Sequence, residues 1–521
     1  MLLPASTAAQ APGDSARARV IVGIELDRQE IFDSSEATHW VTRSANSLHV
    51  RTQPDVITRE LLFRVGEPYD SIKVVESARN LRSLGIFRDV RIDSVTADSG
   101  VLMRVTTRDG WSTKAGIRFG TSGDQVAFGA SFIEDNFLGS ATRVGVTFST
   151  DPVRTTWSLI FRQPRLIGRK VGLGAQYQDR SDGTVIFAGL DKPFNSINDR
   201  SGFLLTGSYR DETVYQYLDG IDVPVDTLLH RMGAVRGSAA WAVRRTGKGY
   251  VRAGVLAQAV RNDYLPFGDS LAMPYTVTGA VGGYVEWSRS RFITRTGFQT
   301  FSRTEDVDLS TTVSAGLYAA PGFLGYDTAG VGPFLTFRTG LSFANGFMLI
   351  NGISDGLITA QGVDSGGTML STTVAWNPNP GSLAVWHGSV GWLENPAPGY
   401  EFDLGLLAGP RAYGVHSFTG NRAFFTTVEV RRLLFPSVLK VVAVGLAAFA
   451  DHGGAWWSGS PTRTGADAGL GLRIGHLRSN QQLITRVDLA WRFGNAAAPS
   501  EWIVSIGRGF VFSLVPIRPN R

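Results

Sequence analysis

From about residue 113 to its end the chain is written in short segments in which apolar residues alternate with polar or small ones. This is the two-residue period of strands whose two faces meet different surroundings. In 113–120, Ala115, Ile117 and Phe119 alternate with Lys114, Gly116, Arg118 and Gly120. In 142–149, Val144, Val146 and Phe148 alternate with Arg143, Gly145 and Thr147. The pattern is cleanest near the C-terminus, with Val487, Leu489, Trp491 and Phe493 on one face and Arg486, Asp488, Ala490 and Arg492 on the other. Helical periodicity is almost absent here, and no run approaches the roughly 18 apolar residues of a membrane-spanning helix. The longest apolar run, 441–450, is short and broken by Gly445. The alternation predicts between about 16 and 20 strands, because several long segments read equally well as one strand or two.

Residues 20–110 follow a different pattern. A strand is predicted over 20–32, and a helix over 53–66, entered after Pro54 and closed by Gly66. A second helix is predicted over 72–84, with Asp70 or Ser71 as its N-cap, Gly85 as its end and a core-facing stripe of Ile72, Val75, Ala78 and Leu81. Two strands follow, 87–95 with Val90 and Ile92 on one face, and 101–107 with Val101, Met103 and Val105 alternating against Leu102, Arg104 and Thr106. The order β-α-α-β-β predicts a small α+β domain with two helices on one face of its sheet.

Composition narrows the choice for the long strand region. The 521 residues include 61 Gly, 12 Trp, 13 Tyr and 30 Phe, with a mean hydropathy of zero. An all-strand chain of this kind is either a soluble sandwich, barrel or propeller, or a closed membrane barrel that pairs all its backbone groups within lipid. A repeat with the period of a propeller blade is missing. Three charges on one face of one strand would be costly in a dry core. They suit a strand with one face on a water-filled lumen and the other on lipid, and this favours a transmembrane β-barrel. The chain has no Cys, which excludes disulfides and thiolate metal sites. Its charge of +6 is spread over alternating strand positions without a basic patch, so nucleic acid is not an expected partner. The seven His are scattered singly, and neither a metal nor a cofactor is implied. Met1 to Gly13 reads as the tail of a secretory signal with an A-x-A pattern at Ala9-Gln10-Ala11, or else as a flexible terminus; residues 1–19 are set apart on that ground.

Several stretches carry a family resemblance. ESARNLRSLGIFRDVRI, in the second helix and the strand after it, resembles the best-kept part of a POTRA domain. IEDNFLGSATRVGV at 133–146 is similar to an N-L-x-G element, and AAFADHGGAW at 447–456 to an F-x-D-x-G strand. LITRVDLAWRF at 483–493 resembles a penultimate strand, and VSIGRGF at 504–510 a C-terminal signal ending in an aromatic, although 11 residues follow it here. GPRAYGVHSFTGNRAFFTTVEVRRL, from Gly409 to Leu433, is similar to an inward-folded sixth loop, its tip reading Arg411-Ala412-Tyr413 where the family has Arg-Gly-Tyr or Arg-Gly-Phe. Together these resemble the outer-membrane assembly and translocation superfamily that includes BamA, TamA and the two-partner secretion transporters. The resemblance implies a 16-stranded antiparallel barrel over 111–521 in the bacterial outer membrane, preceded by one POTRA-like periplasmic domain over 20–110. It also implies clients that are unfolded, β-rich polypeptides, with outer-membrane lipid and periplasmic accessory proteins as further partners.

Two constellations are the candidate sites. Arg411, on a loop folded into the lumen, would need carboxylates in bidentate geometry. Glu429, Asp451 and Asp488 fall on lumen-facing positions of the following strands, with Asp451 the partner that the resemblance favours and Tyr413 beside the tip. The plainer alternative is that these are solvated charges lining a wet pore. The second constellation is the seam between first and last strands, Gly116 and Ile117 against Ile506, Gly507 and Phe510. Glycines there would weaken pairing and let an edge open, or would merely accommodate curvature. A G-x-S-x-G string at Gly352 to Gly356 has no helix after it, as a nucleophile elbow requires, and reads as a Gly- and Asp-rich turn. The expected activity is therefore not enzymatic. It is insertion or translocation of polypeptides at the outer membrane, with a dedicated secretion pore or a passive channel as alternatives.

Overall fold

The structure, a computed structural model, describes residues 20–515 apart from 33–42, 45, 48, 98–99, 123–124, 168–170, 197–198, 218–223, 267–275, 302, 406–407, 478–482 and 495–497. The signal-like stretch at 1–19 lies outside the described residues.

The N-terminal unit is a three-stranded sheet with two helices. β1 (Ile21–Gln29) pairs in parallel with β3 (Gly100–Asp109), which pairs antiparallel with β2 (Phe87–Ala97). Met103 and Val105 are fully buried on the face covered by α1 (Pro54–Glu60) and α2 (Ser71–Ser83), as the alternation in 101–107 predicts. Asp70 caps α2 by accepting from the Ile72 N–H at 2.8 Å. α1 is shorter than 53–66. Leu61 turns to an extended backbone, Phe63 drops into the core, and the Leu62 N–H donates to Ser77 Oγ rather than to a helix carbonyl. The expected α2 stripe is also corrected. Ile72 and Val75 are exposed, and the helix presents Val74, Ser77, Ala78 and Leu81 to the core. The observed set follows the i, i+3, i+4, i+7 spacing of a single helix face, keeps Ala78 and Leu81 of the expected stripe, and has the polar Ser77 in its middle.

The remaining strands run β4 (Thr113–Ser122), β5 (Gln125–Phe137), β6 (Thr142–Thr150), β7 (Thr155–Ile167), β8 (Val171–Arg180), β9 (Gly183–Lys192) and β10 (Ser201–Gln216). β11 (Asp226–Thr246), β12 (Gly249–Pro266), β13 (Thr276–Arg289), the short hairpin β14 (Phe292–Thr296) and β15 (Thr304–Asp308), and β16 (Thr311–Ala320) come next. They are followed by β17 (Gly330–Phe343), β18 (Gly346–Thr359), β19 (Gly362–Trp376) and β20 (Ser382–Glu394). After a loop holding β21 (Phe402–Leu404) and β22 (Phe418–Gly420) come β23 (Arg422–Val438), β24 (Val442–Trp456), β25 (Gly465–His476), β26 (Thr485–Phe493) and β27 (Glu501–Arg508). Leaving aside β14–β15 and β21–β22, they form one sheet with antiparallel neighbours, and β27 returns to lie beside β4.

This ring order counts twenty strands among the described residues, the upper end of the range that the alternation predicts, where the resemblance implies sixteen. Two-residue turns such as Gly247-Lys248, Ala344-Asn345 and Ala360-Gln361 join long hairpins, so the alternation runs through them without the break that would separate strands. The Gly352–Gly356 string is likewise no turn, because it sits within β18, paired on both sides.

The outside of the ring is apolar. Leu470, Leu489, Val428 and Leu446 are 68%, 47%, 46% and 45% exposed, while their neighbours Asp488, Thr427 and Glu429 are buried. The N-terminal unit sits over one end. Asn136 Nδ2 donates to Thr52 Oγ1 at 2.9 Å, Arg165 pairs with Glu60 at 2.7 Å, and Arg82 with Asp306 at 2.7 Å on the β14–β15 hairpin. The long loop between β20 and β23 leaves the opposite end.

Candidate functional site: a loop clamped inside the ring

Residues 395–421 connect β20 to β23, and their tip folds into the ring. Arg411 is 1% exposed and Tyr413 is fully buried. The Arg411 guanidinium engages Asp451 bidentately, Nε to Oδ2 at 2.6 Å and Nη2 to Oδ1 at 3.1 Å. Its Nη1 reaches Asp488 at 2.9 Å and Glu429 at 3.5 Å, and its plane lies 3.6 Å from the Phe449 ring centre. Asp451 also accepts from Thr427 Oγ1 at 2.6 Å. The expected lock is therefore present as geometry, with all three carboxylates on inward strand positions.

Further residues complete it that the sequence reading did not single out. Arg473 bridges Glu429 and Asp488, its Nε at 3.0 Å from the first and its Nη1 at 2.6 Å from the second. Arg486 donates to Asp488 at 2.7 Å, and Arg431 pairs with Glu429. Asp467 accepts from the Ala412 N–H at 3.1 Å, while Arg492 donates to the Ala412 carbonyl at 3.1 Å. The signal was available: Asp467, Gly469, Gly471 and Arg473 share one face of β25 by simple parity.

The glycines on that face make room for the clamp. A Cβ at Gly471 would collide with Asp488, Arg473 and the Val487 carbonyl, and one at Gly465 with the rings of Tyr413 and Phe418. Tyr413 Oη donates to the Phe493 carbonyl at 2.7 Å. The charges do not line open water; they are packed and paired. Desolvating so many ions is costly, and removing one partner would strand another. The arrangement fixes the loop in one place.

Nearer the loop's base, His416 Nδ1 lies 2.7 Å from Asp403 Oδ2, and its ring stacks on Tyr217 at 3.4 Å. Glu401 accepts from the Tyr217 N–H at 3.2 Å. Burial, with Asp403 nearby, pushes its carboxyl up to about 8.

At the seam, β27 lies beside β4, and arginine side chains occupy the space beside its glycines. The space a side chain would take at Gly116 is filled by Arg508. At Gly507 it is filled by the Arg486 guanidinium, which would stand 2.7 Å from an added Cβ. Ile117 faces outward, 71% exposed, and Ile506 is half-buried. Phe510 is not in the seam. β27 ends at Arg508, Gly509 takes φ +69°, and Phe510 turns into the ring against Phe298 at 5.3 Å.

The fold and site thus define a mostly β protein with a large ring-ordered sheet, a clamped inner loop and a small α+β unit at one end. A curated relative, the outer membrane protein assembly factor BamA of Neorickettsia risticii, is 27% identical over 138 residues, 26% of this chain and 19% of that protein. It bears out the resemblance to the BamA and TamA superfamily that the motifs carry. The matched stretch spans about a fifth of that relative's length. Among solved structures, CdiB from Escherichia coli is 12% identical, covering 96% of this chain and 92% of its own, with a TM-score of 0.46. BamA from Haemophilus ducreyi lacking POTRA domains 1–3 is 11% identical over 95% and 85% at 0.40, and CdiB from Acinetobacter baumannii 9% over 94% and 73% at 0.43. No family model matches the chain.

Proposed function

We propose that this chain is a transmembrane β-barrel of the bacterial outer membrane that inserts or translocates polypeptides, with residues 20–110 acting as a POTRA-like domain on the periplasmic side. The observation that carries the reading is the clamped loop: a passive channel has no use for a plug held by a buried network of arginines and carboxylates. The apolar exterior suits lipid, where only a closed barrel or a helix satisfies its backbone. With β3 in the middle of the three-stranded sheet, β1 and β2 offer edges to which an extended client segment can add. Energy would come from the client's own folding, without a nucleotide, metal or catalytic group.

Depleting the protein and profiling the outer membrane tests this. Loss of a defined set of barrel or secreted proteins supports the reading, and an unchanged profile contradicts it. A disulfide engineered between β4 and β27, at Ile117 and Ile506 or the nearest pair that forms it, separates the two activities. Insertion through an open seam stops in the oxidised form and resumes on reduction, whereas translocation through the lumen continues.

A further inference from the structure

Beyond the clamped loop, the ring holds a second occupant. Residues 509–515, after β27, fold back inside it and rest on a cluster built by Phe298 of the β14–β15 connection with Phe347, Leu349, Leu383 and Val385 of β18 and β20. Alternate residues make the contacts. Phe510 packs on Phe298 and lies under the Arg431 guanidinium at 4.0 Å, Phe512 stacks on His387 at 4.1 Å, and Leu514 joins the same cluster. Ser513 and Val515, between and after them, are exposed. Asn351 Nδ2 donates to the Leu514 carbonyl at 2.9 Å, a backbone contact indifferent to the side chain. A cavity of about 800 Å³ separates this tail from the clamped loop, lined in part by Gln299, His387, Ser389, Asp403 and Leu483. Among the described residues, the tail meets the groove through ring stacking, apolar packing, a cation over a ring and a side chain to backbone bond.

We propose that this groove is a peptide-binding site for a polypeptide segment carrying aromatic or large apolar residues at alternate positions, and that the chain's own C-terminal tail is its resting occupant. Such alternation is the pattern of a lipid-facing barrel strand, so the proposal rests on the polypeptide-handling reading and names a site for it inside the barrel. The tail is covalently tethered, and its local concentration near the groove is on the order of millimolar. A free segment must outcompete it, so an incoming client of the right pattern is selected while the empty mouth stays closed. Arg431 covers Phe510 and pairs with Glu429, which lies 3.5 Å from Arg411 of the loop, and this chain of charges links tail release to the loop.

The test is direct binding in detergent of a fluorescently labelled peptide with the sequence of residues 510–516. It is applied to the full chain, to a chain ending at Gly509, and to a full-length Phe510→Ala/Phe512→Ala variant, each checked for folding by heat-modifiable migration. The account expects saturable binding to both altered forms, at least about tenfold tighter than to the wild type, in line with loss of an internal competitor. A peptide of the same composition with its two Phe adjacent should bind at least tenfold more weakly. Equal binding by wild type and altered forms, or equal binding of the rearranged peptide, overturns the proposal. So does failure of both altered forms to fold, since the tail is then fixed packing rather than a displaceable occupant. The result is separable from the functional reading, because an unchanged outer-membrane profile on depletion would leave the binding result standing.

Discussion

At the residue scale the clamp rests on Arg411, whose planar fork meets Asp451 with two nitrogens while a third reaches Asp488. Arg411→Ala leaves Asp451 and Asp488 buried with lost partners, and a truncation of this kind costs about 3–5 kcal/mol. Asp451→Ala should cost a similar amount. In the double variant, measured by denaturant titration of the folded barrel, the loss should fall short of the sum by at least about 1 kcal/mol; strict additivity would mean the pair is not coupled. Arg411→Lys should recover only part of the stability, because an ammonium cannot hold both oxygens of Asp451 in one plane. Gly471, on the inward face of β25, carries the same argument as a matter of space. Gly471→Ala sets a methyl against Asp488, Arg473 and backbone, and should destabilise by about 1–3 kcal/mol, whereas Gly207→Ala, with open space round its Cβ, should change little.

At the element scale, the sequence was most legible where period decides and least legible where a neighbour does. β26 follows its pattern residue by residue, with Arg486, Asp488, Ala490 and Arg492 buried and Leu489 and Phe493 exposed. Arg411, Asp451, Asp488 and Glu429 could be brought together because strand parity puts three of them on one face and the loop resemblance brings the fourth. Arg431, Arg473 and Arg486 obey the same parity, yet in one dimension nothing separates a clamped arginine from a solvated one. α2 fails for a related reason. Its apolar residues cover more than one face, and Ile72 points toward the β11–β12 turn at Gly247, which periodicity within 71–83 cannot reveal. The loop carries its own pH dependence. Glu401, held up at about 8 by burial and by Asp403, binds its proton more tightly folded than unfolded. Its effect on stability is therefore nil below about pH 4.5 and grows increasingly unfavourable as pH rises toward 8. Proteolysis of 395–421 should accelerate between about pH 4.5 and 8 and level off above that, and Glu401→Gln, which stays neutral, should flatten the rise. A rate that stays level in the parent protein would contradict this assignment.

At the scale of the whole molecule, one pattern explains three features: apolar side chains outside, paired charges inside, and two separate segments filling the interior from opposite ends. The clamped loop comes from the end away from the N-terminal unit, and the C-terminal tail from the end that the unit covers. Arg82 to Asp306 and Arg79 over Phe292 tie that unit to the hairpin on which the tail rests. Strand number was legible in the alternation only as a range, with the observed twenty at its upper end. Twenty rather than sixteen follows from tight two-residue turns, and the internal tail follows from a bend at Gly509 that alternation does not encode. The central claim is that this ring is a closed barrel in the outer membrane, held by its clamp. Semi-native electrophoresis of the protein from fractionated membranes tests it most directly. The account predicts recovery in the outer-membrane fraction and faster migration unheated than boiled, with the unheated form of Arg411→Ala converting at lower temperature. Recovery in the soluble fraction, with one mobility before and after boiling, would contradict it.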